Sequence, residues 1–173
     1  MRKLWIATIA FTIVCVLAFS SCANVNTRGY DNNEQIADKT IVYLIDAIKL
    51  KDESGIRDLF AAEVRADDGL EGKISQLIQF IEGEIISYSS SKEVGVGENY
   101  EMQNGKEKKD ILSAFSITTT QKEYYVAIKE CTVNEADQNG AGVLSIYIIE
   151  ASKWTKDYVY RGDGMWSPGI NIE

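Results

Sequence analysis

Apolar positions along this chain recur first with a helical period and then with a strand period. Ile36, Thr40, Tyr43, Leu44, Ala47 and Ile48 follow the i, i+4, i+7, i+8 spacing of one helix face, with Asp31 or Asn33 available as N-cap and Glu34 in the first turn. Asp52 is placed to cap a short second helix carrying Ile56, Leu59 and Phe60. Asp68 followed by Glu71 makes a capping-box pattern for a third, with stripe Leu70, Ile74, Leu77, Ile78 and Ile81 and Gly83 where a C′ glycine would stop it.

After Gly83 the period becomes two. Strands are predicted over Glu84–Ser91 and, more weakly, Val94–Asn104, with a turn at Asn104-Gly105. A third strand alternates through Ile111, Ser113, Phe115 and Ile117, and a fourth spans Tyr124–Val133. Asn134–Gly142 reads as a turn-rich loop. Leu144, Ile146 and Ile148 alternate in a further strand, and a last one is expected over Tyr158–Arg161. Helices first and strands afterwards is an α+β order, with an antiparallel sheet covered on one face.

The N-terminal segment has a different pattern. Met1-Arg2-Lys3 is a positive start, Leu4 to Phe19 carries no charge, and Ser20-Ser21-Cys22 follows. These are the parts of a secretory signal, and the apolar run is shorter than the roughly 20 residues of a membrane span. Its end resembles a lipobox, in which the cysteine thiol is diacylated and the residue becomes the new N-terminus. Phe19 stands where Leu is usual. The expected product is a lipoprotein on the outer face of the cytoplasmic membrane, held by lipid on Cys22, since two acyl chains give stable attachment. Two other outcomes stay open: cleavage after Ser20, because Ala18-Phe19-Ser20 also fits a small-x-small rule, or an uncleaved helical anchor. The expected organisation is a signal at 1–21, a flexible polar tether at 22–33 and a single domain at 34–173.

Removing Arg2 and Lys3 leaves 16 basic against 26 acidic residues, a net charge of −10. Such a surface argues against nucleic acid as a partner. Histidine is absent, which excludes Ser-His-Asp and Cys-His nucleophile systems and the common zinc sites. With Cys15 in the signal and Cys22 acylated, Cys131 has no partner for a disulfide and is expected as a small buried residue. No metal or other cofactor is predicted. Gly95-Val96-Gly97 lacks the third glycine and the helix of a phosphate cradle. Gly162-Asp163-Gly164 lacks the alternating oxygen ligands of a calcium loop and reads as a tight turn.

Ile41–Phe60, with Ala47-Ile48-Lys49, Asp52 and Leu59-Phe60, is similar to the opening helix pair of the nuclear transport factor 2-like (cystatin-like) cone. Ile78-Gln79-Phe80-Ile81-Glu82-Gly83-Glu84-Ile85-Ile86-Ser87-Tyr88 and the ending Trp166-Ser167-Pro168-Gly169-Ile170 resemble a family of uncharacterised lipoproteins of Gram-positive bacteria with that fold. The resemblance covers about residues 34–170. It implies fold and placement but no activity.

In such a fold the sheet curls around the helices and leaves a pocket at the wide end, usually apolar with a few polar groups. The expected lining is aromatic: Tyr43, Tyr88, Tyr125, Tyr147, Trp154 and Trp166. Plain core packing is the alternative for each of them. Trp154, Tyr158, Tyr160 and Trp166 cluster in sequence, as a stacking platform for a ring or as a plug in the cone's open end. The functional expectation is a binding or interaction domain for a small ligand or protein partner. A homodimer through the sheet is a further possibility. The alternative is a small enzyme using a carboxylate/Tyr pair, with Asp46, Asp110 and Asp157 as available carboxylates.

Overall fold

The long first helix, α1 (Asn33–Leu50), exists because Ala37, Thr40, Ile41, Leu44, Ile45, Ala47 and Ile48 make one continuous buried stripe. The predicted stripe is therefore nearly right but slightly rotated: Ile41 and Ile45 belong to it, and Tyr43 falls outside it at 49% exposure. The computed structural model describes residues 33–91, 95–154 and 167–173, so the signal, the expected strand at Tyr158–Arg161 and all of the expected tether except Asn33, which instead opens α1, lie outside the described residues. No helix among the described residues is long and apolar enough to cross a membrane.

Asp52 caps α2 (Glu53–Leu59), its Oδ1 accepting from the Gly55 N–H at 2.9 Å. A four-residue helix, α3 (Ala62–Arg65), follows; it buries only Val64, too little to leave a periodic signal. The capping box expected at Asp68 does not form. Gly69 is the N-cap of α4 (Leu70–Phe80), no side chain caps it, and Asp67 Oδ1 instead accepts from the Gly69 N–H. Gly83 is also not the C′ residue, because the helix stops at Phe80 with Ile81 as C-cap. Its φ of +86° serves the turn into the sheet, where a Cβ would meet Thr120 Oγ1 at 2.7 Å.

Among the described residues six strands form one open sheet: β1 (Ile85–Ser90), β2 (Val96–Gln103), β3 (Lys106–Thr119), β4 (Glu123–Asn134), β5 (Gly142–Glu150) and β6 (Gly169–Ile172). Asn104 and Gly105 both have positive φ, 53° and 75°, as a two-residue hairpin turn between β2 and β3 requires. The spatial order is β1-β3-β4-β5-β6, with β2 also paired to β3. The first five strands are antiparallel, but β6 runs parallel to β5, so the sheet is mixed. The Pro168-Gly169-Ile170 ending enters the sheet as that edge strand.

Residues on β3, β4 and β5 alternate between two apolar layers. Ile111, Phe115, Ile117, Tyr124, Val126, Ile128, Ile146 and Ile148 pack against the helices in the main core. Ala114, Tyr125, Ala127, Tyr147 and Ile149 form a second buried cluster, with Trp154 against it. Burial on both faces corrects the expectation of a sheet covered on one face only. Its cause is the run Tyr124–Ile128, in which five consecutive side chains are apolar and all are buried.

Tyr124 ties the helices to the sheet. Its hydroxyl donates to Phe80 O at 3.0 Å and accepts from the Glu82 N–H at 2.8 Å, satisfying backbone groups left open at the end of α4.

Candidate functional site

Two successive strands share one flank of β3, and the junction between them opens a groove. β1 pairs with Phe115–Thr119 and β2 with Lys106–Ser113. Between them the chain leaves at Ser91, whose N–H donates to Ala114 O at 2.8 Å, and returns at Gly95, whose N–H donates to Ser91 O at 3.0 Å. The N-terminal half of α1 lies over this junction. The groove of about 440 Å³ is lined by Glu34, Gln35, Ala37 and Asp38 from the helix, Ser90 at the end of β1, Gly95 just before β2 and Val96 at its start, and Phe115. It thus combines apolar surface (Ala37, Val96, Phe115) with carboxylates one helical turn apart, the composition of a binding pocket for an amphipathic group. Neither Glu34 nor Asp38 has a cation within ion-pair distance among the described residues.

Tyr88 flanks the groove. Its hydroxyl donates to Asp38 Oδ1 at 2.8 Å, and its ring stands edge-on to Phe115 with centroids 6.4 Å apart. The bond to Asp38, then partial burial, push the Tyr88 phenol above its ordinary pKa.

The sequence profile of a family described as a domain of unknown function, DUF5104, matches residues 43–151. The chain belongs to this family. No curated protein matches it. The matched stretch takes in Ser90, Gly95, Val96 and Phe115 of the groove, while Glu34 and Asp38 precede it.

Beside the groove, the DUF5104 domain holds a polar cluster under α1. Asn33 Nδ2 donates to Glu98 Oε2, and Lys109 Nζ lies 3.2 Å from the same oxygen. Together, Asn33 first, they hold the Glu98 carboxyl below its usual range. Thr40 Oγ1 donates to Glu130 Oε2 at 2.8 Å, yet burial outweighs that bond and pushes the Glu130 carboxyl up. Neither groove is lined by Glu130. The second groove, about 350 Å³, lies at the other end of α1 between Ile48, Lys51, Ile78, Ile81 and Ile85.

The aromatic candidates divide between places. Tyr125, Tyr147 and Trp154 come together, but on the sheet face away from the helices. The Tyr125 and Trp154 rings are 5.0 Å apart and tilted by 31°. Tyr147 is only 2% exposed and accepts from the Ser167 N–H; the Tyr125 hydroxyl bonds Ser91 Oγ. The indole N–H of Trp154 is buried and meets no acceptor among the described residues. Tyr43 stands apart on the outer side of α1, and Trp166 and Cys22 lie outside the described residues.

Of the three carboxylates considered from sequence, Asp46 is exposed and Asp157 lies outside the described residues. Asp110 is buried on the far face, its Oδ2 3.3 Å from Lys129 Nζ and its Oδ1 without a hydrogen-bond partner among the described residues. Burial, with the Asp110 carboxylate beside it, pushes the Cys131 thiol up to about 11, which makes it a poor nucleophile. Sequence reasoning missed Glu34, Asp38 and Glu130. The i, i+4 carboxylates were visible, and Glu130 has the parity of Val126 and Ile128, which marks an inward-facing charge.

Proposed function

We propose that this chain is a membrane-tethered lipoprotein whose domain binds a small ligand or a protein partner in the groove between α1 and the β1/β2 junction. In this reading residues 1–21 are removed, Cys22 carries the lipid, and the stretch from Cys22 to the start of α1 tethers a nuclear transport factor 2-like cone outside the cytoplasmic membrane. The basic start, the uncharged run and Ser20-Ser21-Cys22 support the address. The helices packed on an open, mostly antiparallel sheet among the described residues support the cone.

The observation that carries the binding role is the groove itself, with Phe115, Val96 and Ala37 beneath Glu34 and Asp38. Radiolabelled palmitate should enter the full chain and be lost in Cys22→Ala; equal labelling of both would sink the anchor. For the groove, a photo-crosslinking amino acid at Gln35 in cells should give an adduct that the same group at exposed Lys73 on α4 does not. Indistinguishable products from the two positions would remove the groove as the site.

A small enzyme is the second reading, favoured by the Asp38–Tyr88 pair at the groove. Asp38 is exposed, whereas catalytic carboxylates are generally tuned by burial, so binding is the stronger reading. A ligand recovered unchanged after incubation with the protein supports binding; a converted product would reverse the order.

A further inference from the structure

β2 presents an unusual sheet edge. Among the described residues it pairs with β3 alone, leaving its other flank of backbone N–H and C=O groups without a strand partner. It has eight residues and no proline, and Glu98 to Met102 are all exposed. Natural edges are commonly blunted by lysine, proline, a bulge or a covering element. Here no lysine lies on the strand, and two exposed side chains are apolar, Tyr100 at 49% and Met102 at 65%. The opposite edge is different: β6 has four residues and packs beside α4.

The open edge runs into the groove, because Val96 belongs to both. Glu98 reaches α1 through Asn33, so by the two-residue period Tyr100 and Met102 share the helix-side face with it. A single extended segment lying along β2 would therefore meet, in order, the carboxylates of Glu34 and Asp38, the Phe115 floor, and the exposed Tyr100 and Met102. Glu101 faces the other side of the strand and adds negative charge there.

We propose that β2 accepts an extended, basic segment of a partner protein as an added strand, with lysine or arginine side chains toward Glu34 and Asp38 and apolar ones over Phe115, Tyr100 and Met102. This rests on the groove reading above and names the partner class for it. Main-chain hydrogen bonds supply affinity in such additions and alternate side chains supply specificity. Charge selects the occupant. A second copy of this chain, paired antiparallel and centred on Glu98 or on Glu101, would set that carboxylate against its like, and opposed like charges in a sheet destabilise it. A small ligand would fill the groove and leave the strand edge bare.

The test uses the full chain in maltoside micelles and fluorescein-labelled octapeptides followed by anisotropy. A peptide with threonine at every second position, and lysine, lysine, valine and valine at the positions between, carries both kinds of side chain on one face; it should bind, and weaken as ionic strength rises. Its glutamate/valine counterpart should not bind. The double variant Glu34→Gln, Asp38→Asn should bind the basic peptide roughly ten-fold more weakly. N-methylation of one alternate set of peptide nitrogens should abolish binding, and methylation of the other set should leave it, because only one set faces β2. Equal binding of both charge types, indifference to either N-methyl series, or an unchanged double variant would each overturn strand addition. So would concentration-dependent self-association of the chain that Tyr100→Pro abolishes. If the basic peptide fails while Gln35 still gives its photo-adduct, the groove reading stands and strand addition alone falls.

Discussion

The two faces of the sheet are built from alternate residues of the same strands, yet they hold different kinds of core. The helix side is aliphatic and deep, with Ile111, Ile117, Ile128, Ile146 and Ile148 all at or near complete burial. The far side places Tyr125, Tyr147 and Trp154 beside Ala114 and Ala127, so large rings sit next to small residues. The difference is one of anchoring. The helix face gains from the apolar stripes of α1 and α4, with Ile56 and Val64 added by the two short helices, while the far face closes around rings whose polar tips reach for Ser91 and Ser167. Adjacent residues on one strand therefore compare the two faces directly.

Ile148 and Ile149 are the sharpest such pair, one on each face and both buried. Ile148→Ala should cost about 4 kcal/mol and Ile149→Ala about 2 kcal/mol, because the far cluster has fewer neighbours to lose and more freedom to collapse. Guanidinium unfolding followed by circular dichroism measures both. Equal losses would mean that the two layers are energetically one core.

Tyr124 and Tyr125 repeat the comparison with hydroxyls. Tyr124→Phe leaves the Phe80 carbonyl and the Glu82 N–H without their partner and should cost about 2–3 kcal/mol. Tyr125→Phe leaves only the Ser91 hydroxyl, which can rotate, and should cost about 1 kcal/mol. Thermal unfolding of the two variants side by side decides it. A larger loss at Tyr125 would show that the far face, not the end of α4, is the more tightly determined region.

These contrasts also mark what was legible in the sequence. Period located α1, α4 and most of the strands, β-branched and aromatic richness located β4, and local chemistry located the Asp52 cap of α2 and the Asn104-Gly105 turn. Asp68 and Glu71 had the right spacing for a cap, but the helix begins one residue later, since tertiary packing rather than the cap decides where α4 enters the core. The far-face cluster was half visible: an unbroken apolar run at Tyr124–Ile128 signals burial on both faces. The groove was not legible. Its residues come from positions as distant as Glu34 and Phe115, and only the division of one β3 flank between β1 and β2 brings them together. β6 was hidden for a similar reason, because four residues carry too little periodicity to register a strand.

The smallest predicted effect separates two carboxylates on the helix side. Glu130 has its pKa raised by burial, so its contribution favours the fold while the carboxyl is protonated, below the ordinary glutamate value, and is lost as pH rises through the raised one. Glu98 is the reverse: Asn33 and Lys109 lower its pKa, so its contribution is present above the ordinary value and is lost as pH falls. Glu130→Gln keeps an acceptor for Thr40 and cannot ionise. It should be more stable than the parent at neutral pH, by less than about 1 kcal/mol, and lose that advantage in acid. Glu98→Gln should be less stable than the parent at neutral pH and approach it in acid. Unfolding curves at a series of values from about pH 4 to pH 8 resolve the two signs. If Glu130→Gln runs parallel to the parent across that range, the carboxyl is hydrated in the fold, and the helix side is wetter beneath α1 than its burial implies.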